Sequence, residues 1–230
     1  MAVSLYLRLP ELDRRPMHGD EANQAVRTGM LLERGVYHYD PTDHHGPVLY
    51  FAALPFCRLQ TGSFAETSEW NYRLVPVIFS CLTLLLMAGL GLKHEGGLFA
   101  SRAGMLAAML MTAFSAPMVY YSRFFIQETM FVTFLTGMLV FAVRYVRSRS
   151  AVETDSRAAF WHAAGFGACA GLAAATKETV ALSYAAAAVA AVAAAGPKRL
   201  LRAWRTGDAL VALGAAALVA VIFFSSFFTH

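Results

Sequence analysis

Residues 129–149 read TMFVTFLTGMLVFAVRYVRSR, an apolar run that ends on arginines at 144, 147 and 149. The apolar part, 129–146, approaches the roughly 20 residues a helix needs to cross the hydrocarbon core of a bilayer. Lys and Arg accumulate in cytoplasmic loops, so the arginines mark a cytoplasmic end. Five more segments repeat the pattern, at 74–92, 103–121, 158–176, 179–195 and 209–228. Composition agrees: 57% of the 230 residues are hydrophobic and only 15% charged. Soluble domains carry about 25% charge. The chain therefore reads as an all-α polytopic membrane helix bundle. The segments at 158–176 and 179–195 are rich in alanine, which inserts weakly, but Gly167 and Gly171, four apart, suit close helix packing. With Gly165 they make no dinucleotide fingerprint, because no strand precedes them and the spacing is wrong.

The remaining charges fix an orientation. Lys93 and Arg102 flank one connection; Arg144, Arg147, Arg149 and Arg157 fill the next but one; Lys198, Arg199, Arg202 and Arg205 fill the third. Together these hold 10 of the 19 basic residues. They alternate with connections containing Arg123 with Glu128, and Lys177 with Glu178. Putting the basic loops in the cytoplasm turns residues 1–73, the other connections and the C-terminus outward. The net charge of +4 thus reflects short loops between spans, not a nucleic-acid surface. Cys57, Cys81 and Cys169 are scattered through apolar stretches and read as small core residues. Two units follow: an extracytoplasmic loop, 1–73, and a six-helix transmembrane region, 74–230. A polar segment as long as 1–73 needs help to cross a membrane, and residues 1–7 are too short for a membrane helix or a signal peptide. A preceding helix is therefore expected, as is further chain beyond residue 230.

The outer loop holds the most polar sequence. His18-Gly19-Asp20-Glu21 leads into a helix over 22–34, which ends on Gly35, a residue suited to the left-handed position after a helix. Ala22, Val26 and Met30 share one face, as in an amphipathic helix lying in the membrane interface. Then come Tyr37-His38-Tyr39-Asp40-Pro41 and Asp43-His44-His45-Gly46-Pro47, and an apolar 48–59, too short to span comfortably and read as a second interfacial or re-entrant helix.

His18-x-Asp20-Glu21-Ala22, Tyr39-Asp40-Pro41 and His45-Gly46-Pro47-x-Leu49-Tyr50 together resemble the first outer loop of the GT-C membrane glycosyltransferases. The likeness is strongest to the dolichyl-phosphate-mannose-protein mannosyltransferase-like, flippase-associated branch of archaea and bacteria. Tyr120-Tyr121-Ser122-Arg123-Phe124-Phe125-Ile126-x-Glu128 looks like that branch's second outer motif, and Thr176-Lys177-Glu178 like its third. The resemblance implies transfer of a sugar from a polyprenyl-phosphate carrier to a glycan, lipid or protein acceptor, outside a cytoplasmic (plasma) membrane. The helix that precedes the Asp-Glu loop in such proteins and their later C-terminal parts, which contribute to acceptor recognition, are not in this sequence.

An inverting displacement needs a carboxylate to take the acceptor's proton and cations on the leaving phosphate. Asp20 is the expected base, with Glu21 as its catalytic neighbour; a positioned base contributes about 10²–10⁴-fold. Arg123 and Lys177 are expected on the phosphate, Arg as a bidentate donor and Lys as a point charge. Tyr121, Glu128, Glu178, His44 and His45 complete the expected substrate-binding set. Each has a structural rival. Asp20 could cap its helix, Arg123 could pair with Glu128, and Lys177 with Glu178 could simply mark a turn at the membrane surface. His18, Asp20, His44 and His45 could hold a divalent metal ion, although they lack a fixed ligand spacing. His162, on an apolar face, is expected to be packed or hydrogen-bonded, and Phe124, Phe125, Phe131 and Phe134 to face lipid or other helices. Two other functions fit the same composition: a transporter or flippase component, and a non-catalytic assembly subunit. The first would show internal repeats or helices broken at the midplane, and the charged residues here cluster at loop level instead.

Overall fold

Apolar runs with no water at hand must satisfy their backbone internally, and a helix does so within one segment. The computed structural model describes residues 1–40, 45–60, 62–93, 97–150 and 155–229, and its architecture is all-helical. Residues 1–73 give α1 (Ala2–Arg8), α2 (Gly19–Arg34) and α3 (Val48–Gln60). The bundle follows as α4 (Glu69–Gly89), α5 (Arg102–Phe114), α6 (Ala116–Tyr121), α7 (Glu128–Ser150), α8 (Ser156–Ala174), α9 (Val180–Ala195), α10 (Pro197–Ala203) and α11 (Thr206–Phe224).

Helix α8 is the centre of the bundle, packed between α7 and α11, while α4 covers the other side of α7. Small residues make this possible. A Cβ placed on Gly167 would lie 2.0 Å from the Ala212 carbonyl oxygen, and one on Gly171 2.5 Å from that of Ala216. The expected packing role of these glycines is therefore what the fold uses. On the opposite side of α8, Cys169 fits against Gly137 of α7. Helices α4, α7 and α11 are long and apolar enough to cross a membrane. Helix α8 has 19 residues, α9 has 16 and α5 has 13.

The run at 103–121, expected as one span, is two helices. Pro117 is the cause: it has no N–H to donate to Ala113, four residues back, and its ring crowds that carbonyl. The chain leaves helical geometry at Ser115 (φ −55°, ψ 121°) and restarts as α6. The released Ala113 carbonyl accepts a 3.0 Å hydrogen bond from Arg8 Nη1, which also reaches the Ser4 carbonyl. Residues 1–7, too short to span, thus belong to a one-to-two-turn helix whose buried arginine repairs the break.

Helix α2 starts on His18 and ends on Gly35 in the left-handed region (φ 74°). Its Val26 and Met30 are exposed, whereas Gln24, Thr28, Leu31 and Leu32 face inward. The expected face with Val26 and Met30 thus points away from the protein, while the other apolar residues, Ala25, Leu31 and Leu32, pack into the core. Helix α3 buries Leu49, Tyr50, Ala53 and Cys57 completely beneath it. Tyr50 Oη donates to Gln24 Oε1 at 2.6 Å across this contact. The end of α11 closes over the same loop, where the Tyr37 amide donates to Ser226 Oγ and Phe224 meets Tyr39 edge-on.

Candidate functional site

The three motifs meet at one end of the bundle, the end away from the arginine-rich loops. At that end lie the first turns of α4 and α7, the last residues of α8 and the start of α2. At the other, Arg149 of α7 pairs with Asp208 of α11, and Arg144 lies against Gly89 of α4.

Glu21 is the hub. Its carboxylate is fully buried and accepts from Arg73 Nε (2.8 Å) and Arg73 Nη2 (2.9 Å), a bidentate pair. It also accepts from the amides of Phe125 (2.9 Å) and His18 (3.1 Å), and more loosely from Arg15 Nη2 (3.4 Å). Burial alone would raise its pKa. The Arg73 hydrogen bonds, with those from the two amides, outweigh that and hold it below the ordinary value. Arg73 in turn donates to the carbonyls of Leu12, Arg15 and Pro16, which ties the approach to α2 onto α4. Glu21 is therefore an acceptor locked in place, with no room to act as a freely titrating base. Arg73 was not singled out from sequence. Its signal was an arginine placed directly before the apolar run at 74–92, at membrane depth, where an ionisable side chain needs a partner.

Asp20, one residue away, is the opposite case. Its side chain is 81% exposed, and His18 Nδ1 lies 3.6 Å from Oδ2. The cap of α2 is His18, which accepts from the Asp20 amide while Glu21 returns a bond to the His18 amide. Asp20 is thus not the cap that the rival reading would have it be. Arg123 does not pair with Glu128. Its Nη1 and Nη2 donate to the carbonyls of Leu7 and Pro10, at 3.1 and 2.8 Å. Around it opens a cavity of about 130 Å³ lined by Glu11, Leu12, Arg15, Arg73, Tyr120, Arg123 and Phe124. Arg15 lies 3.8 Å above the Phe124 ring, a cation–π contact that holds its guanidinium at the cavity wall. Tyr121 is partly exposed beside Tyr120.

The third motif joins the other two. Lys177 Nζ donates to Glu128 Oε1 at 2.7 Å, and His45 Nδ1 lies 2.7 Å from Glu178 Oε2. The Val48 amide donates to the Ala175 carbonyl, directly beneath Gly46. Burial and the nearby Glu178 and Asp40 carboxylates push the Tyr39 phenol above its ordinary pKa. Three contacts therefore close a ring: Glu21 to Phe125, Glu128 to Lys177, and Glu178 to His45. Asp20 itself makes no hydrogen bond or ion pair to Arg123 or Lys177 among the described residues. His44 lies outside those residues. Among them, no three His, Cys, Asp or Glu side chains converge as a metal site would need, since His45 is turned to Glu178 and His18 to Asp20. Of the expected phenylalanines, Phe125 packs on Tyr72 and Phe134 on Phe79, so they face protein. His162 bonds Ser148, as expected.

Membrane-spanning helices, with the three motifs gathered at one end, define a polytopic membrane helix bundle. The chain belongs to the family of dolichyl-phosphate-mannose-protein mannosyltransferases, which it matches over residues 44–228. In fold it is similar to a chain of the S. cerevisiae protein O-mannosyltransferase Pmt1-Pmt2 complex bound to the sugar donor, with a TM-score of 0.57 at 15% sequence identity. The likeness covers 99% of this chain and 32% of that one, so the chain spans about a third of that relative. No match is found among curated proteins.

Proposed function

We propose that the protein takes part in mannosyl transfer from a polyprenyl-phosphate carrier to an acceptor at the extracytoplasmic face of a cell membrane. The observation that carries this reading is the ring of three motifs beside a cavity walled by Arg15, Arg73 and Arg123. In the proposed reaction the acceptor oxygen or nitrogen attacks the anomeric carbon from the face opposite the phosphate. The bond from that carbon to the phosphate oxygen breaks, and its electron pair leaves with the carrier. The acceptor's proton passes to Asp20, whose exposure leaves it accessible to an acceptor.

Arg123 and Arg15 suit the departing phosphate because planar guanidinium groups bond phosphate oxygens in pairs. Lys177, fixed by Glu128, adds a second positive element, and Tyr121, His45 and Glu178 serve as further substrate contacts in this scheme. Donors aimed at developing charge are each worth about 3–4 kcal/mol in such sites. Glu21 enters this scheme as the residue that positions Asp20, by clamping the first turn of α2 onto Arg73. The carrier's tail stays in lipid, which is why the chemistry belongs at helix ends near the interface.

The test is transfer of labelled mannose from a polyprenyl-phosphate mannose by membranes containing the protein or its Asp20→Asn variant. We expect a loss of about 10²–10⁴-fold in rate at unchanged protein level. An Asp20→Asn protein as active as the parent would discard Asp20 as base.

A further inference from the structure

The opposite end of the bundle carries a second concentration of charge, with no part in the reading above. The stretches 144–157 and 198–208 hold Arg144, Arg147, Arg149, Arg157, Lys198, Arg199, Arg202 and Arg205, and in sequence only three acids, Glu153, Asp155 and Asp208. Eight cations against three acids leave a formal +5 here, more than the +4 of the entire chain. The fold also brings the two loops together. Trp204 stacks on Tyr145 of α7 at 4.3 Å between centroids and leans on Phe166 of α8. Tyr145 Oη donates to Asp208 Oδ2 at 2.8 Å and accepts from the Arg205 amide. Arg149 completes the knot on Asp208. One cation and one acid are neutralised there, and the short helix α10 is pinned beside the end of α7. Arg144, Arg147, Arg157, Lys198, Arg199, Arg202 and Arg205 are all exposed around it.

A second feature sets the depth of this patch. Phe160 and Trp161, in the first turns of α8, are 43% and 61% exposed. Helix α8 is packed between two membrane-spanning helices, α7 and α11, and exposed aromatic rings at the end of a helix so placed sit at the level of lipid headgroups. The cations just beyond them are then at phosphate depth, where each Lys or Arg adds to the attraction of an anionic leaflet.

We propose that this patch is a binding site for anionic phospholipid headgroups, formed by α10 together with the ends of α7 and α8. The Trp204–Tyr145–Asp208–Arg149 knot is its scaffold, and Lys198, Arg199 and Arg202 are its principal contacts. The site is independent of the transfer chemistry, and its occupant is the surrounding bilayer itself.

The experiment uses the full chain with Trp70→Phe, which removes the one tryptophan at the far end and leaves Trp161 and Trp204 as reporters. The protein is reconstituted in phosphatidylcholine bilayers with increasing fractions of brominated phosphatidylglycerol, or of brominated phosphatidylcholine as reference. Quenching gives the affinity of the anionic lipid relative to the zwitterionic one. We expect a preference of at least fivefold, reduced to near unity in Lys198→Gln/Arg199→Gln/Arg202→Gln and weakened by 0.5 M salt. The charge-preserving Lys198→Arg/Arg199→Lys/Arg202→Lys protein should keep the preference. Equal quenching by both lipids in the parent, or a preference that survives the glutamine substitutions, would overturn the proposal.

Discussion

At the scale of single residues, two neighbouring carboxylates have been given opposite environments. Glu21 is buried and saturated with donors; Asp20 is open to solvent. The pair Glu21–Arg73 stabilises the fold only while both partners are present, since breaking a buried ion pair costs about 3–5 kcal/mol through the charge left behind. Arg73→Met should therefore destabilise the protein by that amount, and Glu21→Leu/Arg73→Met should recover much of it in thermal unfolding in detergent. The pH dependence follows from the sign of the shift. Glu21 has a folded pKa below its ordinary 4.5, so its contribution is fully present above that value and disappears as pH falls through the lower one. The melting temperature of the parent should drop below about pH 4.5, and Glu21→Gln should remove that part of the acid sensitivity. The sequence made the Asp-Glu pair visible but not its division of labour. That division depends on Arg73, 52 residues away in the chain, and no local pattern encodes such a partner.

At the scale of elements, the helices were legible and their ends were less so. Apolar length gave the positions of α4, α7, α8, α9 and α11, and Gly35 gave the end of α2, because both signals are local. The break between α5 and α6 was signalled by Pro117 but looked continuous in hydropathy. Its repair by Arg8 could not be read at all, since it depends on a tertiary contact. Gly46 was legible as part of a motif and not as a spacer. A Cβ there would lie 2.1 Å from the Ala175 carbonyl oxygen, so α3 can dock on the Thr176-Lys177-Glu178 turn only with glycine at this position. Overpacking of this kind typically costs about 1–3 kcal/mol. Gly46→Ala should lower stability by that amount in thermal unfolding and reduce mannosyl transfer by separating His45 from Glu178, whereas Gly19→Ala, with nothing within 4 Å, should be nearly neutral for stability.

For the whole molecule, charge and geometry divide the bundle into two unlike ends. The motifs gather at one, and a formal +5 gathers at the other. Reporter fusions after Arg147 and after Arg202 should give a cytoplasmic signal, and one after Gln127 an external signal; the reverse pattern would remove the extracytoplasmic reading. The ring of motifs was foreseen as a shared face, because alternating basic loops dictate it, whereas its three closing contacts needed coordinates. The seam between α8 and α11 bears on dynamics. Where main chains touch at Gly167 and Gly171, there is no side-chain layer to rearrange, and the two helices must move as one rigid plank. Helix α9, with Leu182 and Val189 about 70% uncovered, has no such restraint. Flexing of the bundle is thereby expected at the periphery, in α9, while the α8 spine that leads to Lys177 keeps still.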